Sequence, residues 1–263
     1  MQEKRRNIPL PPVLYNYCAF NHKYTPAIFE RNEVYFQSAD KLNDPFDMKI
    51  FAIVKGTQAE MISWLESGRD HNRVGSTPEK IHAWASDRVK RARGLVKSAL
   101  LRTHEENDQL ERKRTGVFCM TAIRDNILMW THYADKHQGF CLGLATKNTF
   151  FGRACPIGYS RYAPCVNLID PASRRIPTLG KALFTKAKDW EYEAEWRIVC
   201  SNTLGLQTFP HEALTEVILG CRMTGNNRRQ IMEWCRQRKT PPSLYEARPK
   251  KRAFGLDIVP LTY

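Results

Sequence analysis

The 263-residue chain predicts a single α+β domain, and three observations carry that expectation. Short runs rich in β-formers recur from one end of the chain to the other. A long helical pattern interrupts them between about residues 58 and 114. No Pro-, Gly- or Ser-rich linker divides the chain into two halves, so residues 1–263 read as one domain with a helical insertion. The length suffices to bury a real core, and a hydrophobic content of 42% separates the chain from disordered sequences.

The elements follow in order. Residues 13–20 read as a first strand and residues 33–38 as a second. Asn43-Asp44-Pro45 then stops regular structure, because Pro lacks a donor and Asn and Asp favour turns. Residues 58–70 and 78–112 read as helices, the second started by Thr77 and Pro78. Ile81, Trp84, Ala85, Val89, Leu95, Val96, Leu100 and Leu101 form its expected apolar stripe, opposite a face of Lys and Arg. Residues 116–121 and 139–145 are short buried-strand patterns. Between them Asp125 or Asn126 caps a helix that reaches about Asp135, and Gly139 ends it. Residues 178–189 read as helical, 195–200 and 216–220 as strands, and 225–238 as a helix. Residues 244–247 and 254–259 suggest a closing hairpin around Pro249-Lys-Lys-Arg252.

Forty-one Lys and Arg against 27 Asp and Glu give a net charge of +14, which favours a polyanion such as nucleic acid, an acidic protein or a negative membrane surface, with a solvated basic surface as the bland account. The eight cysteines include no CxxC pair, so a structural zinc site has little support. Cys119, Cys141, Cys200 and Cys221 lie in apolar strand-like runs and read as small core residues. No run approaches the roughly 20 apolar residues of a membrane helix, and the N-terminal residues show no apolar signal core. The expected compartment is a reducing cytoplasm, with no membrane partner.

Two segments about 150 residues apart mix carboxylates with aromatics: Asn43-Asp44-Pro45-Phe46-Asp47 and Trp190-Glu-Tyr192-Glu193-Ala-Glu195-Trp196-Arg197. Glu193 and Glu195 are two positions apart, and on an extended chain they share a face. Their repulsion raises the proton affinity of at least one, an arrangement suited to a base beside a charge stabiliser. The bland account is a solvated strand start with Arg197 as ion-pair partner. Asn43, Asp44 and Asp47 are either local turn residues or polar groups aimed into a pocket, and Phe46 reads as a core anchor. In Met129-Trp130-Thr-His132-Tyr133, Trp130 reads as core, while His132 or Tyr133 suits a pocket wall. His132 and His137 are five positions apart, a poor spacing for a shared metal on a helix, and no metal site is favoured. Tyr15 and Tyr17 share a strand face, so both are buried or both face one cleft. GxGxxG, Walker A, HExxH and GxSxG motifs are absent.

With Leu14-Tyr-Asn-Tyr17, Asn43 to Asp47, Met129 to Asp135 followed by Gly139-Phe-Cys141, and Trp190 to Arg197, the chain resembles a widespread bacterial family of uncharacterised function across roughly residues 13–220. Members of that family commonly carry an Arg where this chain has Cys18. The order of motifs more distantly resembles the ADP-ribosyltransferase plan. That likeness implies a mostly antiparallel central sheet and NAD as substrate. It places Tyr15 or Tyr17 on the first strand, Tyr35 with Ser38 on the second, and Glu193 with Glu195 opening a late strand. Asn43, Asp44, His132 and Tyr133 would join the tyrosines around NAD. Glu195 would stabilise a cationic ribose and Glu193 would orient or deprotonate an acceptor. The chain lacks the plan's usual first-strand Arg or His and a full Ser-Thr-Ser.

The leading expectation is therefore an ADP-ribosyltransferase-like enzyme or NAD glycohydrolase, a bacterial toxin or anti-phage effector acting on nucleic acid or protein and restrained by a protein partner. The alternatives are a nuclease holding Mg²⁺ on Asp44, Asp47, Glu193 and Glu195, and a non-catalytic binding module using the basic helix and the tail at Arg248–Arg252.

Overall fold

A computed structural model describes residues 8–67, 77–170 and 178–262. The charged N-terminal hexapeptide and residues 68–70 of the expected first insertion helix lie outside them. The chain is a mixed α+β structure built on one large, mostly antiparallel sheet and one long helix. β1 (Val13–Cys18) pairs antiparallel with β5 (Phe140–Ala145), which pairs with β12 (Leu214–Leu219). β13 (Ser243–Pro249) lies parallel to β12 and turns back into β14 (Leu256–Leu261), the closing hairpin expected from sequence.

The other half of the sheet is organised by β4 (Thr115–Thr121). One edge of β4 is paired along its whole length by β10 (Glu195–Ser201). The opposite edge is shared. β1 meets it at Thr121, while β2 (Glu33–Ser38) meets it at Gly116 and Val117 and carries β11 (Gly205–Thr208) outside it. Phe118, Cys119 and Met120 are left without a strand on that edge, and Asn16 Nδ2 donates instead to the Cys119 carbonyl at 2.9 Å. The sheet therefore splits between β1 and β2.

Alternation along the strands sends side chains to two cores. On one face Leu14, Phe36, Phe118, Phe140, Leu142 and Leu144 pack with Phe29 of α1 (Thr25–Glu30) and with Ile231 and Cys235 of α6 (Gly225–Gln237). On the other, Tyr17, Cys141 and Ile218 pack under Met129 and Trp130 of α4 (Ile127–Tyr133). The Asn126 carboxamide caps α4 by accepting from Leu128 and Met129 N–H.

The insertion begins with β3 (Phe51–Ile53) and α2 (Gln58–Glu66), which has a complete capping box from Thr57 and Glu60. α3 (Pro78–Arg114) then runs directly into β4. Thr77 and Pro78 start α3 as expected. Its apolar stripe is corrected at Leu95 and Leu101, which are exposed. Ala92 is non-helical (φ −141°, ψ 35°), and beyond that break Val96, rather than its neighbour Leu95, turns toward Val89, Met61 and Ile169.

The helix expected at 178–189 is also corrected. α5 (Thr178–Leu183) stops early. β9 (Thr185–Ala187) follows, pairing parallel with β7 (Gly158–Ser160), and a 3-10 turn covers Lys188–Glu193. Short strands β6 (Cys155–Pro156) and β8 (Cys165–Asn167) complete the fold, β6 against β10 and β8 parallel to β3. All eight cysteines are free, and Cys141 and Cys235 are buried. Among the described residues no helix is long and apolar enough to cross a membrane.

Candidate functional site

The split in the sheet opens a cleft of about 350 Å³, within the range of small-ligand sites. Tyr15 and Tyr17 of β1 line one side, Tyr35 of β2 the other, and Phe118 to Met120 lie between them. The two acidic-aromatic segments meet at its floor, although 150 positions separate Asp47 from Arg197.

Arg197, fully buried on β10, is the junction. Its Nη1 and Nη2 donate to the two Asp47 oxygens at 2.9 and 2.5 Å, and its Nε donates to Glu195 Oε1 at 2.5 Å. Nη2 also reaches Glu195 Oε2 at 3.0 Å, and Nη1 reaches the Leu183 carbonyl. Such two-pronged pairing is what a planar guanidinium offers and an ammonium does not. Lys186 of β9 sits between the glutamates, donating to Glu195 Oε2 at 2.9 Å and to Glu193 Oε2. Asp47 Oδ2 lies 3.9 Å from the same amine. Glu193 Oε1 accepts from the Tyr133 hydroxyl at 2.6 Å, and that hydroxyl accepts from Asn43 Nδ2 at 3.2 Å. A continuous polar chain thus runs from exposed Asn43 at the mouth through Tyr133, Glu193, Lys186, Glu195 and Arg197 to buried Asp47.

The two glutamates do not sit on one extended strand. Glu193 ends the 3-10 turn, Ala194 takes a left-handed conformation (φ 43°), and Glu195 opens β10. The turn directs both carboxylates onto Lys186, so the expected meeting holds while the expected geometry is corrected. Their proton affinities are driven apart. Burial raises the pKa of Glu193 and outweighs the help it receives from Lys186 and Tyr133. Burial acts on Glu195 in the same direction, but Arg197 and Lys186 together overcome it and hold the group at about 2. The Lys186 pKa is raised: burial opposes the charge, and Glu195 and Glu193 more than offset it. Arg197 and Lys186 thus favour the ionised form of Glu195, while burial raises the proton affinity of Glu193.

Tyr15, Tyr17, Tyr35, Asn43, Tyr133, Glu193 and Glu195 all line the cleft, as the sequence suggested. Tyr17 is held by donating to the Ile123 carbonyl at 2.9 Å and by an edge contact with Trp130, while Tyr15 donates to Glu216 at 3.2 Å. Three expected site residues do not line it. Asp44 Oδ1 accepts from Phe46 N–H at 2.9 Å, so it serves the local turn. Ser38 lies where β2 joins β4, opposite Gly116. His132 is exposed on α4, with its ring edge-on to that of Tyr133 at a centroid distance of 6.2 Å. Phe46, expected in the core, is 68% exposed, and Trp196 packs into the main core.

Asp47 and Arg197, rather than Asp44, tie the early turn to the late strand. Lys186 was not anticipated at all. The helical reading of residues 178–189 carries no signal that Lys186 enters a site. The only available signal was the pair itself, since two buried carboxylates need a cation. Tyr159, whose hydroxyl accepts from Glu195 N–H at 2.8 Å, carried no signal. The carboxylate oxygens proposed for Mg²⁺ are taken up by Lys186 and Arg197, and Asp44 is turned away, so this donor set does not favour the nuclease reading. No protein-family model, no curated protein and no solved structure matches the chain.

Proposed function

We propose that the cleft binds the nicotinamide riboside end of NAD and that the chain is an ADP-ribosyltransferase-like enzyme or NAD glycohydrolase. The observation that carries this reading is the meeting of the Asn43–Asp47 turn with Glu193 and Glu195 at the floor of a tyrosine-lined opening in a split antiparallel sheet. In this reading the bond from ribose C1′ to the nicotinamide nitrogen breaks, and both electrons leave with nicotinamide. The cationic ribose then lies against the acidic floor, where fixed charge acts in a water-poor site. Its C1′ bonds to water or to an acceptor group, whose proton passes to Glu193. Roles shift between the two glutamates relative to the sequence expectation. Both carboxylates are fully engaged; in this reading Glu195, held ionised by Arg197 and Lys186, serves as a permanent anion, while Glu193, whose Tyr133 partner leads to Asn43 at the mouth, meets the ligand. The strongly basic surface is where a nucleic-acid acceptor would dock.

The test is nicotinamide release from NAD by the purified wild type, by Glu193→Gln and by Glu195→Gln, in the presence of cell extract and nucleic acid, with folding checked by circular dichroism. Removing one charge-stabilising group is expected to lower turnover by about 10²-fold or more. Full release by the Glu193→Gln protein, or none by wild type, overturns the assignment.

A further inference from the structure

The basic residues are not spread evenly along the chain. Residues 217–232 and 247–256 contain no Asp or Glu. The first run carries Arg222, Arg228 and Arg229, and the second carries Arg248, Lys250, Lys251 and Arg252. The fold brings the two runs together. β12 and β13 lie parallel with Leu219 opposite Glu246, so the loop leaving β12 and the tip of the β13–β14 hairpin emerge at the same end of the sheet. Glu246 joins the runs directly, accepting from Arg228 Nη1 of α6 at 2.5 Å and from Arg248 Nε at 2.8 Å. Asp257 Oδ1 lies 3.9 Å from the Lys250 amine. Among the described residues these are the two carboxylates paired with the cations of either run. All of those cations except Arg228 are exposed. The hairpin tip is closed by Lys250 N–H, which donates to the Gly255 carbonyl at 3.1 Å. The tip presents Phe254, whose ring is fully exposed and so adds nothing to any core.

Such a surface attracts polyanions, and the ring decides among them. An acidic protein segment would pair with the cations and leave the ring in water. A bilayer would take the cations to its headgroups, but the tip offers one large apolar side chain, far short of the apolar face with which a peripheral element enters a membrane. A single nucleic-acid strand uses both features, its phosphates on the cations and an unstacked base on the aromatic face. In a duplex the bases are stacked on one another, and the ring has no base face to cover. We infer that this end of the sheet binds single-stranded nucleic acid, with phosphates on the two basic runs and a base on Phe254. Its position relative to the cleft follows from strand register. Glu246 is opposite Leu219, Leu219 opposite Phe140, and Phe140 opposite Cys18, which lines the cleft. Three strand spacings, roughly 14 Å, therefore separate Glu246 from the cleft wall. This gives the nucleic-acid acceptor of the proposed reaction its place, while the binding itself requires no NAD.

The experiment is fluorescence anisotropy of the full chain with labelled RNA and DNA strands of about 16 nucleotides, and with the duplex of the same sequence, over a range of salt concentrations. One or both single strands are expected to bind more tightly than the duplex, with affinity falling as salt rises. Replacing Lys250, Lys251 and Arg252 together by Ala should reduce the slope of log affinity against log salt by about 2, since each lost phosphate contact on a single strand removes about 0.7. Phe254→Ala should weaken single-strand binding by about tenfold and leave that slope and the melting temperature unchanged. Arg222→Glu with Arg229→Glu should also weaken it, although both lie about 20 residues before the hairpin, because the two runs form one surface. Equal affinity for strand and duplex, full affinity in the Phe254→Ala protein, or no strand binding overturns the inference. So does capture by phosphatidylserine vesicles without strand binding, which would make this a membrane-facing surface. Strand binding without nicotinamide release from NAD would remove the catalytic reading alone, and release without strand binding would remove this one alone.

Discussion

At the scale of single residues, Glu193 and Glu195 write opposite pH dependences into one site. The Glu195 pKa falls from an ordinary 4.5 to about 2 in the fold. Its contribution to stability is therefore present above pH 4.5 and lost as pH falls toward 2, a difference on the order of 3 kcal/mol. The Glu193 pKa is raised above 4.5, so the folded state holds that proton more tightly than the unfolded chain does. Stability then declines as pH rises from 4.5 through the folded pKa of Glu193. In urea titrations across pH, Glu195→Gln should flatten the acid limb, and Glu193→Gln should flatten the decline on the other side. An unchanged acid limb in the Glu195→Gln protein would show that its ion pairs contribute nothing net. The proximity of these two residues was legible in their spacing. The split in their behaviour was not, because it depends on Lys186 and Arg197 approaching from β9 and β10 in three dimensions.

At the scale of elements, the cleft exists because two strands share one edge of β4. Gly116 is the pivot of that arrangement, paired with Cys200 on one side and Ser38 on the other. A Cβ built there would lie 1.6 Å from the Thr203 carbonyl oxygen and 3.4 Å from Phe36 Cβ. Backbone cannot yield as a side chain tip does, so Gly116→Ala must push the turn after β10 away from β4. The expected cost is about 1–3 kcal/mol or more, read as a lowered denaturation midpoint with reduced affinity in the cleft. Wild-type stability in the Gly116→Ala protein would mean that the strand junction is looser than its geometry. The strands around this junction were readable one by one, since β1, β2, β4, β5 and β10 all lie within runs rich in β-formers. Their sharing of β4 was not, because pairing is set by long-range register rather than by local composition. The helix expected at 178–189 failed for a related reason. Thr185–Ala187 is too short to show a strand period, yet its pairing with β7 overrides helical propensity and puts Lys186 into the site.

At the scale of the whole molecule, the helical insertion and the sheet differ in what holds them. The main core joins Leu14, Phe36, Phe140, Leu142, Leu144 and Val217 with α1 and α6 in one continuous cluster. The insertion has a small cluster of its own, with Met61, Val89, Val96 and Ile169 buried, and Leu95 and Leu110 of α3 remain exposed. Less apolar burial per residue means cheaper local opening. Backbone amides of α2 and of α3 up to about Asp108 are therefore expected to exchange hydrogen through openings of lower free energy than those of β4, β5 and β12. The last turn of α3 should behave differently. Arg112 Nη2 donates to the carbonyls of Ala39 and Asp47, and the helix passes without a linker into β4. That end is tied to the turn that positions Asp47 under Arg197, so its protection should follow the sheet and rise when the cleft is filled. Exchange mass spectrometry with and without NAD separates the body of the helix from its last turn. Uniform protection along α3, unaffected by NAD, would mean that the insertion opens with the sheet as one unit and that Arg112 does not couple it to the site.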